Sequence, residues 1–202
     1  MTIDEIMRTA PVIPVLVIDD ADRASELAEA LVAGGLRVLE VTLRTPAALK
    51  AIEAMRGVEG AIVGAGTVIN PDQFRDAISA GAEFLVSPGL LEPLVRGALD
   101  RNVPVLPGIA TASDIMRGLA LGIDRFKFFP AVAAGGLGAL KALAAPFAQC
   151  RFCPTGGITA ETAPEWLALD SVLCVGGSWI VPEGADIAQV EALARQAAAL
   201  VR

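Results

Sequence analysis

The chain has 202 residues, 23 of them acidic and 16 basic, and its net charge of −7 disfavours nucleic acid and anionic membrane surfaces as partners. Hydrophobic residues make up 54% of it, enough for one sizeable core, yet no apolar run reaches the roughly 18 residues of a membrane span. Histidine and tyrosine are absent, which removes His-based triads and imidazole metal sites and leaves acid–base work to Asp, Glu, Lys, Cys or water.

The first ten residues carry Asp4 and Glu5 in place of a basic region, and Pro14 interrupts the apolar run that follows. No signal peptide is expected, so the protein is expected in the cytoplasm. Three cysteines, Cys150, Cys153 and Cys174, make a disulfide framework an unsuitable reading. Cys150-Arg-Phe-Cys153 has redox-motif spacing but falls in a strand-like run rather than at a helix start, so buried structural thiols are expected.

After a short helix over residues 2–9, strand-like and helix-like runs alternate. Strands are expected over 12–17, 37–43, 61–67, 84–87, 103–108, 126–129, 152–155 and 173–177. Helices are expected between and after them, over 21–33, 46–55, 71–80, 92–101, 112–121, 137–145, 160–167 and 187–201. Thr45-Pro46 and Asn70-Pro71 place a cap before a proline, Thr111 and Thr159 open helices as hydroxyl caps, and Gly34-Gly35, Gly57, Gly81 and Gly122 close them. Eight such units predict one domain over residues 1–202, a TIM (β/α)8 barrel with a short N-terminal helix. An open doubly wound sheet would want a phosphate loop after its first strand, but that strand ends Ile18-Asp19-Asp20 without glycine.

Barrels of this kind carry their sites at the C-terminal strand ends. Arg125-Phe126-Lys127-Phe128-Phe129-Pro130 sets one amine among three phenylalanines. Strand alternation points Lys127 away from Phe126 and Phe128, so it projects into the barrel or spoils an apolar outer wall. A lysine in low dielectric has its charged form disfavoured, and free amine is a nucleophile toward ketones. The plainer reading is a lysine whose head snorkels to solvent. Lys50 and Lys141, the other two lysines, fall inside helical stretches where solvated faces explain them.

Glu40, Thr42 and Arg44 share one face at the end of the second strand, as site residues or as a Glu–Arg pair sealing the mouth. Gly64-Ala-Gly66-Thr67 lacks the third glycine of a dinucleotide fingerprint; its glycines admit a ligand or bend the strand, and Thr67 offers a hydroxyl. Ser87-Pro88-Gly89 and Pro107-Gly108 shape a wall. Thr155-Gly156-Gly157 and Gly176-Gly177-Ser178 follow strands seven and eight, where backbone N–H groups of such barrels cradle phosphate. Gly135-Gly136-Leu-Gly138 is expected to be a flexible loop over the mouth.

Taken in order, Glu40-Val-Thr-Leu-Arg44, Gly64-Ala-Gly-Thr67, Ser87-Pro88-Gly89, Phe126-Lys-Phe-Phe-Pro130, Pro154-Thr-Gly-Gly157 and Gly176-Gly-Ser-Trp179 resemble the 2-keto-3-deoxy-6-phosphogluconate (KDPG) aldolases. These are class I enzymes that also act on 4-hydroxy-2-oxoglutarate. The resemblance implies a Schiff base on Lys127, with Glu40 as acid/base and no cofactor or metal. It implies that Arg44 and Thr67 hold the pyruvate carboxylate, that Pro88 and Phe129 line the pocket, and that Thr155, Gly156, Gly157 and Ser178 take the distal hydroxyls and phosphate. It also implies a homotrimer. Val132 stands where a glutamate is common in the family. A hydroxyl at Thr155 resembles the phosphogluconate branch; the phosphogalactonate branch tends to be apolar there. A phosphosugar isomerase or epimerase on the same barrel, needing Glu40 but not Lys127, and a non-catalytic scaffold using Ala47, Ala51 and Ala54 remain alternatives.

Overall fold

The computed structural model describes residues 1–201. Helix α1 (Ile3–Arg8) opens on a capping box between Thr2 and Glu5. Then follow β1 (Val12–Leu16), a 3-10 turn (Ala21–Arg23), α2 (Ala24–Ala33), β2 (Val38–Thr42), α3 (Ala48–Met55), β3 (Ile62–Gly66), α4 (Pro71–Ser79), β4 (Phe84–Val86) and α5 (Glu92–Asp100). The second half comprises β5 (Val105–Leu106), β6 (Gly108–Ile109), α6 (Ala112–Ala120), β7 (Arg125–Phe128), α7 (Gly136–Ala144), β8 (Arg151–Pro154), α8 (Ala163–Leu167), β9 (Val175–Gly177) and α9 (Ile187–Ala198). No helix is long and apolar enough to cross a membrane among the described residues.

The strands form two parallel sheets, one of six in the order β5-β4-β3-β2-β1-β9 and one of three in the order β6-β7-β8. The fifth expected strand is two strands. Pro107 has no N–H to donate, so the ladder breaks there: Val105 and Leu106 pair with β4, while Gly108 and Ile109 pair with β7. Isolated bridges, Phe152 with Val172 and Thr155 with Gly176, connect β8 to the segment entering β9.

The strands feed two apolar clusters from their opposite faces. Leu39, Val41, Val63, Ala65, Leu85, Phe126 and Phe128 join the larger cluster with the helices. Val38, Ile62, Phe84, Leu106 and Cys153 meet in a smaller one on the opposite strand faces. Burial on both faces is why the strands read as continuous apolar runs. Helix α1 inserts Ile6 and Met7 into the smaller cluster and is anchored by Asp4, 2.5 Å from Arg125 at the start of β7. Burial pulls the Asp4 carboxyl up, but hydrogen bonds from Arg8 and Arg125 outweigh it and hold the carboxyl below its ordinary value.

Two of the four expected caps form. Asn70 accepts from Gln73 N at 2.9 Å, and Thr111 makes a capping box with Asp114. Thr45 instead donates its hydroxyl to the Ile18 carbonyl beyond β1, and α3 starts only at Ala48. Thr159 lies before its helix: its N–H donates to Thr162 Oγ1 at 3.0 Å, and α8 begins at Ala163. The expected loop at 135–138 is mostly helix, because Gly135 takes a left-handed φ of 107° as the N-cap and α7 starts at Gly136.

Candidate active site

Five residues with polar or charged side chains are buried among the described residues: Glu40, Thr42, Ser87, Lys127 and Thr155. They lie in β2, one residue past β4, in β7 and one residue past β8. In parallel sheets those positions fall toward one rim, so the costly groups of the interior are gathered in one place.

Lys127 and Glu40 form its centre. The Lys127 Nζ donates to Glu40 Oε1 at 2.9 Å, with side chains only 7% and 4% exposed. Strand pairing brings them there: Lys127 is in register with Gly108 on one side and Cys153 on the other, and Glu40 with Val15 and Gly64. The amine also sits 5.4 Å from the centroid of the Phe129 ring, which caps it from the mouth side. An amine hydrogen-bonded to a carboxylate in so dry a place can pass that carboxylate a proton and attack a carbonyl. The snorkelling alternative for Lys127 is excluded by its burial.

Arg44 does not share the strand face of Glu40. Strand β2 stops at Thr42, Arg44 N–H donates to the Thr42 carbonyl at 2.8 Å in a turn, and the side chain is exposed. Among the described residues its guanidinium has no ion-pair partner, so the sealing Glu–Arg pair is absent. Thr42 is satisfied structurally, donating to the Leu16 carbonyl at 2.8 Å. Thr67 follows β3 directly at φ 59°, a left-handed conformation that is a genuine outlier for a β-branched residue. Pro88 is half-buried, with its carbonyl against Gly108, and the preceding Ser87 hydroxyl is taken by the Gly89 carbonyl at 2.8 Å.

On the far side of the amine, Gly156 and Gly157 have φ of 103° and 79° and lie against the Phe129 ring and Val132 respectively. The carbonyls of Thr155 and Gly156 accept from Ala131 and Val132, whereas the N–H groups of Gly157 and Ser178 find no acceptor among the described residues. Unpaired N–H groups in such a turn form an anion-binding concavity. Thr155 bridges to Gly176, which places the Ser178 loop beside the Gly156–Gly157 turn.

Sequence reasoning missed the role of two glycines. Gly66 and Gly176 leave room for protein side chains: a methyl at Gly66 would meet Glu40 and one at Gly176 would meet Thr155. The clue was available in same-face glycines on strands neighbouring those two residues. The cysteines are buried as expected: Cys150 joins the larger cluster and Cys153 the smaller, so their spacing brings no redox pair together. Burial, with the Asp124 charge, pushes the Cys150 thiol up.

The KDPG and KHG aldolase family model matches residues 3–194. The chain belongs to that family. It is 59% identical over 201 residues to the 2-dehydro-3-deoxy-phosphogluconate aldolase of Zymomonas mobilis subsp. mobilis, covering 99% of this chain and 97% of that one. The crystal structure of the Zymomonas mobilis ZM4 2-keto-3-deoxy-6-phosphogluconate aldolase with 3-phosphoglycerate superposes with a TM-score of 0.97, at 59% identity over 99% of this chain and 96% of that one. KDPG aldolase from Legionella pneumophila, with pyruvate captured at low pH as a covalent carbinolamine intermediate, superposes with a TM-score of 0.95 at 46% identity, over 98% and 99% of the two chains.

Proposed function

We propose that this chain is a class I aldolase that reversibly cleaves 2-keto-3-deoxy-6-phosphogluconate to pyruvate and glyceraldehyde 3-phosphate, and also 4-hydroxy-2-oxoglutarate to pyruvate and glyoxylate. The observation that carries the reading is the buried Lys127 amine 2.9 Å from the Glu40 carboxylate. Lys127 Nζ attacks carbon 2 of the keto acid, a carbinolamine forms, and loss of water gives an iminium. The iminium accepts the electron pair released when the bond between carbons 3 and 4 breaks. Glu40 takes the proton of the carbon-4 hydroxyl, directly or through water, and the aldehyde leaves. The enamine gains a proton at carbon 3, and water then frees pyruvate and the amine.

Arg44 and Thr67 hold the substrate carboxylate, the unpaired guanidinium offering a planar fork. Pro88 and Phe129 form the pocket walls, while Thr155, Gly156, Gly157 and Ser178 receive the distal hydroxyls and phosphate. We further infer one (β/α)8 barrel over residues 1–202, the ring running through the Pro107 break and the two bridges at β8, and a cytoplasmic homotrimer that works without cofactor. No other chemistry is needed to complete the cycle.

Borohydride reduction in the presence of pyruvate tests this. Mass spectrometry should find the reduced adduct on Lys127 in the wild type and none in Lys127→Arg, which keeps the charge but forms no imine. An isomerase or scaffold would give no adduct in either. Glu40→Gln should lower turnover by about 10²–10⁴-fold while imine formation partly survives. Cleavage rates for the phosphogluconate and phosphogalactonate epimers then separate the two branches, and Thr155 favours the former.

A further inference from the structure

Gly64, Gly66 and Gly108 each face a neighbour closer than any Cβ tolerates, but the neighbours differ in kind. At Gly64 a methyl would strike the Phe84 ring, and at Gly108 the Pro88 backbone. Neither can yield without disturbing the core. At Gly66 the three nearest atoms all belong to Glu40: Cγ at 2.6 Å and Cδ at 2.8 Å, with Oε1 nearer still. Glu40 is in register with Gly64, so its side chain leans one step along β3 and lies over Gly66. The bare backbone of Gly66 is thus the floor beneath the carboxylate that reaches Lys127.

We propose that Gly66 is a positioning residue for the reaction, holding the Glu40 carboxylate at the Lys127 amine by leaving vacant the volume that any side chain would take. The inference rests on the acid/base reading of Glu40 given above. Three consecutive parts of the Glu40 side chain collide with an added methyl, so the whole side chain must turn rather than its tip. Glu40 is buried and has little room to turn without leaving Nζ. No Lys127 atom is among the three nearest to the added methyl, so Lys127 loses only its hydrogen bond to Glu40 and its amine still forms part of the imine with pyruvate.

The test is a cycle of wild type, Gly66→Ala, Glu40→Ala and the double variant. Gly138→Ala serves as the control, because a methyl at Gly138 meets nothing within 4 Å. Gly66→Ala is expected to lower turnover of the phosphorylated keto acid about 10²-fold, the lower end of general acid–base contributions. It should keep the borohydride-trapped pyruvate adduct on Lys127. In the Glu40→Ala background the same change should alter the rate by no more than about twofold, since the group it displaces is gone. Wild-type turnover in Gly66→Ala, or equal losses in both backgrounds, overturns the proposal. If Gly66→Ala folds poorly, thermal unfolding decides: Gly66→Ala must lower the midpoint less in the Glu40→Ala background than in the wild type, and equal or larger losses there overturn the proposal. Absence of any adduct in the wild type would instead sink the aldolase reading, while the unfolding cycle still reports on the Gly66–Glu40 contact.

Discussion

Replacing Lys127 by Met tests how dry the centre of the site is. Methionine approximates the lysine stem but has no charge, so Glu40, 4% exposed, would lose the partner at 2.9 Å. Removing one member of a buried pair costs about 3–5 kcal/mol, whereas replacing both by apolar groups is often neutral or stabilising. At about 2–4 °C per kcal/mol for a chain of this size, Lys127→Met should lose roughly 6–20 °C in unfolding midpoint. The double variant Glu40→Leu/Lys127→Met should recover most of that loss. Arg96 and Glu92 supply an internal control at 2.8 Å, with side chains 61% and 59% exposed. Their distance matches, but water screens them, and a cycle there should give about 0.3–0.5 kcal/mol. Reversible denaturant unfolding of both cycles measures the two couplings. Equal couplings would refute the reasoning, because burial rather than distance is held responsible for the difference.

Asp4→Asn should destabilise the fold at neutral pH; the Asp4 carboxyl is held low by Arg8 and Arg125, so its contribution is present above the unfolded value near 3.9 and lost as pH falls through the lower folded one. The midpoint gap from wild type should therefore close below about pH 4, and a gap that persists at pH 2 counts against the anchor. Thr67→Gly relieves a left-handed φ of 59° at a β-branched residue, so a gain of up to about 1 kcal/mol in stability is expected after glycine's entropy is subtracted. KM for the keto acid should rise at the same time, and a less stable variant would contradict the strain. Cys150, buried and with its thiol pushed up, should resist iodoacetamide at neutral pH until denaturant is added; fast labelling of the native protein would contradict its placement.

The order of strands and helices was legible because it depends on local signals. Apolar runs, Asn70-Pro71, Thr111 with Asp114 and the closing glycines each act within a few residues. What failed depended on partners from elsewhere in the chain. Thr45 had a good local capping position, but the Ile18 carbonyl at the end of β1 took its hydroxyl. Pro107 sat inside an apolar run of the right length, and only the missing N–H toward the neighbouring strand divides it. Arg44 was placed on the face of Glu40 by extending an alternation two residues past the point where β2 turns. Lys127 and Glu40 were found because each is a charge set between two apolar neighbours in a strand, Phe126 and Phe128 for Lys127 and Leu39 and Val41 for Glu40.

Glycines mark where such reading ends. Gly64 and Gly66 are adjacent same-face positions of one strand, and no local rule tells them apart. Their roles are assigned by the side chain that arrives from the next strand: a phenyl ring from β4 for Gly64 and a carboxylate from β2 for Gly66. Pairing register alone would set Glu40 beside Gly64, the wrong one, since the two are directly opposed. The side-chain lean along the strand moves the carboxylate one step toward the rim, and Phe84 fills the space it leaves. Swapping the sizes would therefore not be neutral even with total volume kept. A smaller residue at 84 opens space beneath Glu40, and the carboxylate gains an alternative position away from Nζ. Conserving Gly66 without Phe84 would leave a floor with no wall beside it.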